Sequence, residues 1–203
     1  EKVKLNILNI LNEKYGITET DFVSAEIEFT PAMKARDLGF DRSLIAGYGQ
    51  DDKACAYTSL EALLDVKVPK RTTLCILTDK EEIGSMGNTG MYSNTFDYFI
   101  DKLLEKTTGN SVGLKEIVFN NSRLLSADVT GAYNPNYPDI YEKNNESHLN
   151  HGISILKYTG SASKGGASDA NAEFVGYVRN LFENHNITYQ VSEMGKIGIG
   201  GGG

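Results

Sequence analysis

The run Thr72-Thr73-Leu74-Cys75-Ile76-Leu77-Thr78 is the feature that most limits what this chain can fold into. It is short and apolar through its centre, follows Pro69 and ends at Asp79, and so reads as a strand buried on both faces. Such a strand needs a layer of helices on each side. The flanking segments supply them: Ala54, Tyr57, Leu60 and Leu64 repeat at helical spacing before it, and Phe96, Phe99, Ile100, Leu103 and Leu104 do so after it. Helix and buried strand therefore alternate, which predicts an α/β layer protein. With 40% hydrophobic residues in 203, one continuous core is expected.

The remaining segments extend the pattern. Leu5, Ile7, Leu8, Ile10 and Leu11 predict a helix that stops at Gly16, and Phe22 to Phe29 alternates as a strand does. From Pro31 to Gln50 the pattern breaks up, as in a long loop. Leu124, Leu125 and Ala127 predict a strand running into Asp128, and Ile153 to Tyr158 and Ile187 to Val191 predict two more. Between those last two, Gly160 to Gly166 reads as a flexible loop. A helix through Phe174, Val175, Val178, Leu181 and Phe182 follows, with Ser168 as its expected cap and Asp169 in its first turn.

Charge and cysteine content narrow the function classes. Twenty Lys and Arg against 27 Asp and Glu leave a net charge of -7, a poor match for a nucleic-acid backbone. Cys55 and Cys75 are too few for a thiolate zinc cluster and read as reduced core residues. No apolar stretch is long enough to span a membrane, so a soluble cytoplasmic protein without membrane partners is expected. The terminal glycines, Gly200 to Gly203, suit a chain that is part of something longer.

Asp51, Glu81, Glu82 and Asp128 each fall at a predicted strand end or helix start, where open α/β sheets gather ligands. Carboxylates converging there would repel, and a divalent cation is the natural compensation. Solvated loop carboxylates are the competing reading, in a chain with 27 acidic residues. Adjacent Glu81 and Glu82 would point to opposite faces of a strand, so both reach one site only if the backbone leaves strand geometry, as the following Gly84 permits.

Tyr48-Gly49-Gln50-Asp51-Asp52-Lys53-Ala54-Cys55-Ala56-Tyr57, Asp79-Lys80-Glu81-Glu82-Ile83-Gly84-Ser85 and Ser126-Ala127-Asp128-Val129 resemble the M18 aminopeptidases. So do Asn134-Pro135-Asn136-Tyr137, Lys157-Tyr158-Thr159-Gly160, Ser168-Asp169-Ala170 and Gln190, in the same order. The resemblance implies a partial three-layer, mixed-sheet zinc exopeptidase fold. Residues 1–40 would be the remnant of an oligomerisation domain and 41–203 part of a metallopeptidase catalytic domain. It further implies two divalent cations, most simply Zn2+, with Asp51 bridging them, Glu82 and Asp128 as ligands, Glu81 as general base, and a cis peptide between Asp51 and Asp52. A peptide substrate and a homo-oligomer, a dodecamer built from dimers, are also implied.

The family uses two histidine ligands besides, one before the oligomerisation domain and one beyond the glycine run, and neither segment stands in this sequence. The expectation is a metal-dependent aminopeptidase as the intact parent, with an incomplete site here. The alternatives are a non-catalytic structural fragment or assembly module, and a carboxylate-lined metal-binding domain without enzyme activity. His148 and His151 are three apart and formally permit metal binding, but they sit in a polar segment and read as surface residues; His185 reads as a helix-end residue. Gly84, Gly87 and Gly90 fit a tight turn near Glu81 and Glu82 rather than a nucleotide loop. Lys164, in a Ser- and Gly-rich loop, is a candidate substrate-binding cation, with a solvated lysine as the competing reading.

Overall fold

The computed structural model describes residues 2–159, 168–193 and 196. The chain divides into two units, Glu1–Gly49 and Gln50–Gly203. In the first, α1 spans Lys2–Tyr15 and α2 spans Glu19–Phe22. Gly16 ends α1 as expected, at φ 70°, with its N–H donating to Asn12 O at 2.8 Å. Thr18 and Asp21 form a capping box around the start of α2, the Thr18 N–H donating to Asp21 Oδ2 at 2.7 Å. The strand expected over Phe22 to Phe29 is not formed: α2 takes its beginning, and 25–35 hold no regular element. In place of the expected long loop, β1 (Arg36–Leu38) and β2 (Leu44–Ala46) pair antiparallel. Gly39 (φ 92°) and Arg42 (φ 58°) turn the chain between them, and Arg42 pairs with Asp37 across the turn.

The second unit is mixed α/β. Its helices are α3 (Gln50–Asp65), α4 (Thr95–Thr108), α5 (Leu114–Asn120) and α6 (Ala172–Asn184). Among the described residues its sheets are two strands wide. β3 (Ile153–Leu156) pairs in parallel with β6 (Tyr189–Ser192), Ile153 facing Tyr189 and Leu156 facing Ser192, with α6 lying between them in sequence. β4 (Tyr158–Thr159) pairs antiparallel with β5 (Ser168–Asp169).

Two expectations are corrected here. Residues 72–78 and 124–127 belong to no ladder, and Leu74, Ile76 and Leu77 are 44%, 39% and 58% exposed. An apolar run encodes a demand for burial but not the neighbour that meets it, and among the described residues no strand lies beside either segment. For the same reason the three-layer sheet is not formed among them, and the continuous core reduces to Ile100 as the buried hydrophobic side chain. Around Ile100, α4 packs on α5: Phe96 stacks on Phe119 with centroids 5.9 Å apart, and Lys115 reaches Asp97 at 3.0 Å and Asp101 at 3.2 Å.

The cap of α6 is also corrected. Ser168 and Asp169 are taken up in β5, and Asn171 is the N-cap, its Oδ1 accepting from the Phe174 N–H at 3.0 Å. Asn171→Ala should therefore cost α6 about 1 kcal/mol, read as faster amide exchange over its first turn, whereas Asn171→Ser should restore most of the protection.

Candidate functional site

Local backbone shape explains how the acidic residues come together. α3 begins on Gln50, but Asp51 (φ -89°, ψ 109°) and Asp52 (φ -116°, ψ 32°) are not helical, and regular geometry starts after them. The Asp51–Asp52 peptide is cis, as the resemblance implied. Both carboxylates therefore sit on an irregular lead-in at the N-terminal end of a helix.

Glu81 and Glu82 lie on a 3-10 turn, Glu81–Ile83, so the backbone has left strand geometry at this pair. Left-handed Lys80 (φ 68°) precedes the turn and left-handed Gly84 (φ 81°) follows it, and the Ser85 N–H closes back on Lys80 O at 2.7 Å. Gly90 completes the loop by close approach. A Cβ there would stand 2.1 Å from Ser85 O, so only glycine fits.

Asp128 follows an unpaired segment, and its Oδ1 accepts from the Val129 N–H at 2.7 Å. Although its side chain stays open to solvent on one side, enough protein surrounds the carboxyl to raise its pKa by desolvation, against the lowering pull of that N–H. The charges of Asp52 and Asp51, and a hydrogen bond with Asp51, raise it further. The Glu81 pKa is also raised, first by desolvation and then by Asp128, Glu82, Asp51 and Asp52.

Asp51, Glu81, Glu82 and Asp128 thus share one electrostatic neighbourhood. Two further members were not singled out from sequence. Asp52 is half-buried with Oδ1 lacking a hydrogen-bond partner, and Cys55 stands beside it. Burial, then the hydrogen bond and charge of Asp52, push the Cys55 thiol up to about 11. Their spacing of three along α3 was the available signal. Lys164 lies outside the described residues, as do the terminal glycines.

A shared neighbourhood is not a metal site. Among the described residues, no group of three or more His, Cys, Asp or Glu side chains is arranged to hold a metal ion. The donors nearest one another are carboxylates that repel one another, and zinc sites draw on imidazole nitrogen or thiolate as well. His148 and His151 lie in a turn of their own and His185 caps the C-terminal end of α6. The donor set does not fit a closed dinuclear zinc centre. The expectation of a metal-dependent aminopeptidase is thereby corrected for this chain, and no catalytic step is derived from it.

Comparison with known proteins places the fold. The sequence pattern of the Aminopeptidase I zinc metalloprotease (M18) family matches residues 1–203. A probable M18 family aminopeptidase 1 of Clostridium acetobutylicum is 49% identical over 204 residues, covering all of this chain and 44% of that protein. The crystal structure of an M18 aminopeptidase from Thermotoga maritima superposes with a TM-score of 0.90 at 45% identity, over 98% of this chain and 44% of that one. The Clostridium acetobutylicum aminopeptidase I structure gives 0.86 at 48%, over 97% and 42%. The chain spans a little under half the length of these relatives. On a match that runs its entire length, it belongs to the M18 family of aminopeptidases.

Proposed function

We propose that this chain is a non-catalytic structural portion of an M18 protein, a piece of a three-layer mixed-sheet scaffold without a complete metal site. In this reading residues 1–40 belong to an oligomerisation domain and 41–203 to part of the catalytic domain. The observation that carries it is the missing third ligand: among the described residues no set of three metal-capable side chains meets, in a chain 44% as long as its Clostridium relative. Exposure agrees with it. Tyr98, Ile117 and Leu181 on the helices, and Leu74 and Leu77 on the unpaired apolar run, stay open to water, as a scaffold's inner faces do until further polypeptide covers them.

Within that scaffold Asp51, Glu82 and Asp128 would be the carboxylate share of a site for two divalent cations, most simply zinc, with Glu81 beside it. Homo-oligomeric assembly fits the same reading, and a solved fungal relative is described as a dodecamer. A cytoplasmic setting is consistent with the free thiols Cys55 and Cys75. Among the described residues no helix is long and apolar enough to cross a membrane.

Two measurements test this reading. Titrating the chain with Zn2+ while assaying release of N-terminal residues from peptides should give no turnover at any zinc concentration. Zinc-dependent hydrolysis that disappears in Glu81→Gln would overturn it.

The second concerns pH. Raised folded-state pKa values mean that the folded chain holds protons on Glu81 and Asp128 more tightly than the unfolded chain does. Their contribution to stability is complete on the acid side of the ordinary values, 4.5 and 3.8, and is lost as pH rises through the raised ones. Metal-free chain should therefore lose more stability across that window than Asp128→Asn. Denaturant midpoints against pH measure the difference, and equal slopes would show that the repulsion is not felt.

A further inference from the structure

From sequence, His148 and His151 are three apart, formally permit metal binding and read as surface residues. The structure places them at the two ends of a tight turn, where the His151 N–H meets His148 O at 3.4 Å. Asn150 takes the left-handed conformation (φ 63°) that this turn needs and that asparagine tolerates. The turn brings the two rings to a centroid separation of 5.4 Å with their planes 53° apart.

That spacing has a chemical meaning. Two imidazoles bound tetrahedrally to one ion, each through a nitrogen about 2.0–2.1 Å from the metal, have ring centres about 5 Å apart. His151 Nδ1 lies 2.8 Å from Leu149 O and must donate to it, because a carbonyl only accepts. In the neutral ring this leaves the Nε2 lone pair available, the arrangement by which a backbone carbonyl fixes a ligand histidine's tautomer.

The turn is also held in place. Gln190 on β6 accepts from the His148 N–H at 2.8 Å and donates to His148 O at 3.1 Å and Gly152 O at 3.3 Å. Tyr133 packs 6.1 Å from the His148 ring on another side. Because Gln190 grips only backbone, it fixes the position of His148 without engaging either ring nitrogen.

We propose that His148 and His151 form a two-imidazole site for a borderline divalent transition-metal ion such as Ni2+, Cu2+ or Zn2+, with water completing the coordination. The site shares no residue with the group of Asp51, Glu82 and Asp128, and it stands whether or not the structural reading above does.

Ni2+ added below stoichiometric amounts to isotopically labelled chain tests the proposal through paramagnetic broadening of amide resonances. Broadening should begin at residues 148–152. His148→Asn and His151→Asn should each abolish it, because a chelate needs both rings. Either variant retaining wild-type broadening, broadening centred on Asp51, Glu82 and Asp128, or no broadening at all would overturn the site. Should a variant fail to fold, the wild-type chain still decides the matter: Ni2+ should protect His148 and His151 from imidazole acylation while His185 stays reactive, and equal reactivity of all three would refute the proposal.

Discussion

A strand offers hydrogen-bonding groups on two edges and side chains on two faces, and the folded chain depends on how many of those four demands are met. Among the described residues the sheets are two strands wide, a width that is marginal in water without packing against other elements. The parallel pair β3–β6 is the best supported. Ser147 Oγ lies 2.8 Å from Ser154 Oγ on β3 and 2.7 Å from Ser192 Oγ on β6, and Ser154 and Ser192 also bond to each other. Ser147 and Ser192 are buried, so a ring of three hydroxyls that satisfy one another removes a desolvation cost that each would otherwise carry. This polar clamp fastens the 142–148 segment to the strand pair. Gln190 repeats the device further along the loop, at the backbone of His148 and Gly152.

Where pairing fails, the apolar side chains show it. Residues 72–78 have the composition of a doubly covered strand and the exposure of a loop. The chain as a whole nonetheless superposes on the Thermotoga maritima structure with a TM-score of 0.90 over 98% of its length. Backbone course and burial are separable properties: turns, caps and local hydrogen bonds set much of the first, and only additional layers supply the second.

What could be read from sequence divides along the same line. Gly16, the start of α3 beside Asp51 and Asp52, the apolar stripe of α4 and the strand at Ile153 were legible because each is a local signal. The β1–β2 pair was not, since its strands are three residues each and its turn places Arg42 as well as Gly39 in the left-handed region. The Asn171 cap was misplaced onto Ser168 because both residue types cap helices and only the pairing of Ser168 with Thr159 distinguishes them. For the candidate site, the gathering of Asp51, Glu81, Glu82 and Asp128 followed from motifs, whereas the part taken by Asp52 and Cys55 depends on how α3 is oriented, which no single-residue signal encodes.

Electrostatics then limits what the acidic group can be by itself. On a 3-10 turn, consecutive side chains diverge by about 120°, so Glu81 and Glu82 flank a common region rather than meet at a point. Glu81 feels Asp128 more strongly than its own neighbour Glu82. Desolvation first, and then the charges of the neighbouring carboxylates, raise the pKa of Glu81 and Asp128, so those two hold their protons more tightly than free carboxyls do. Protonation and cation binding are alternative answers to the same repulsion, and a carboxylate that keeps its proton is a poor ligand. A proton relieves one carboxylate at a time with no requirement on geometry, whereas a cation shared among these carboxylates needs several of them aimed at one place. With donors close but not convergent among the described residues, the burial and repulsion show as carboxyl pKa values raised at Glu81 and Asp128.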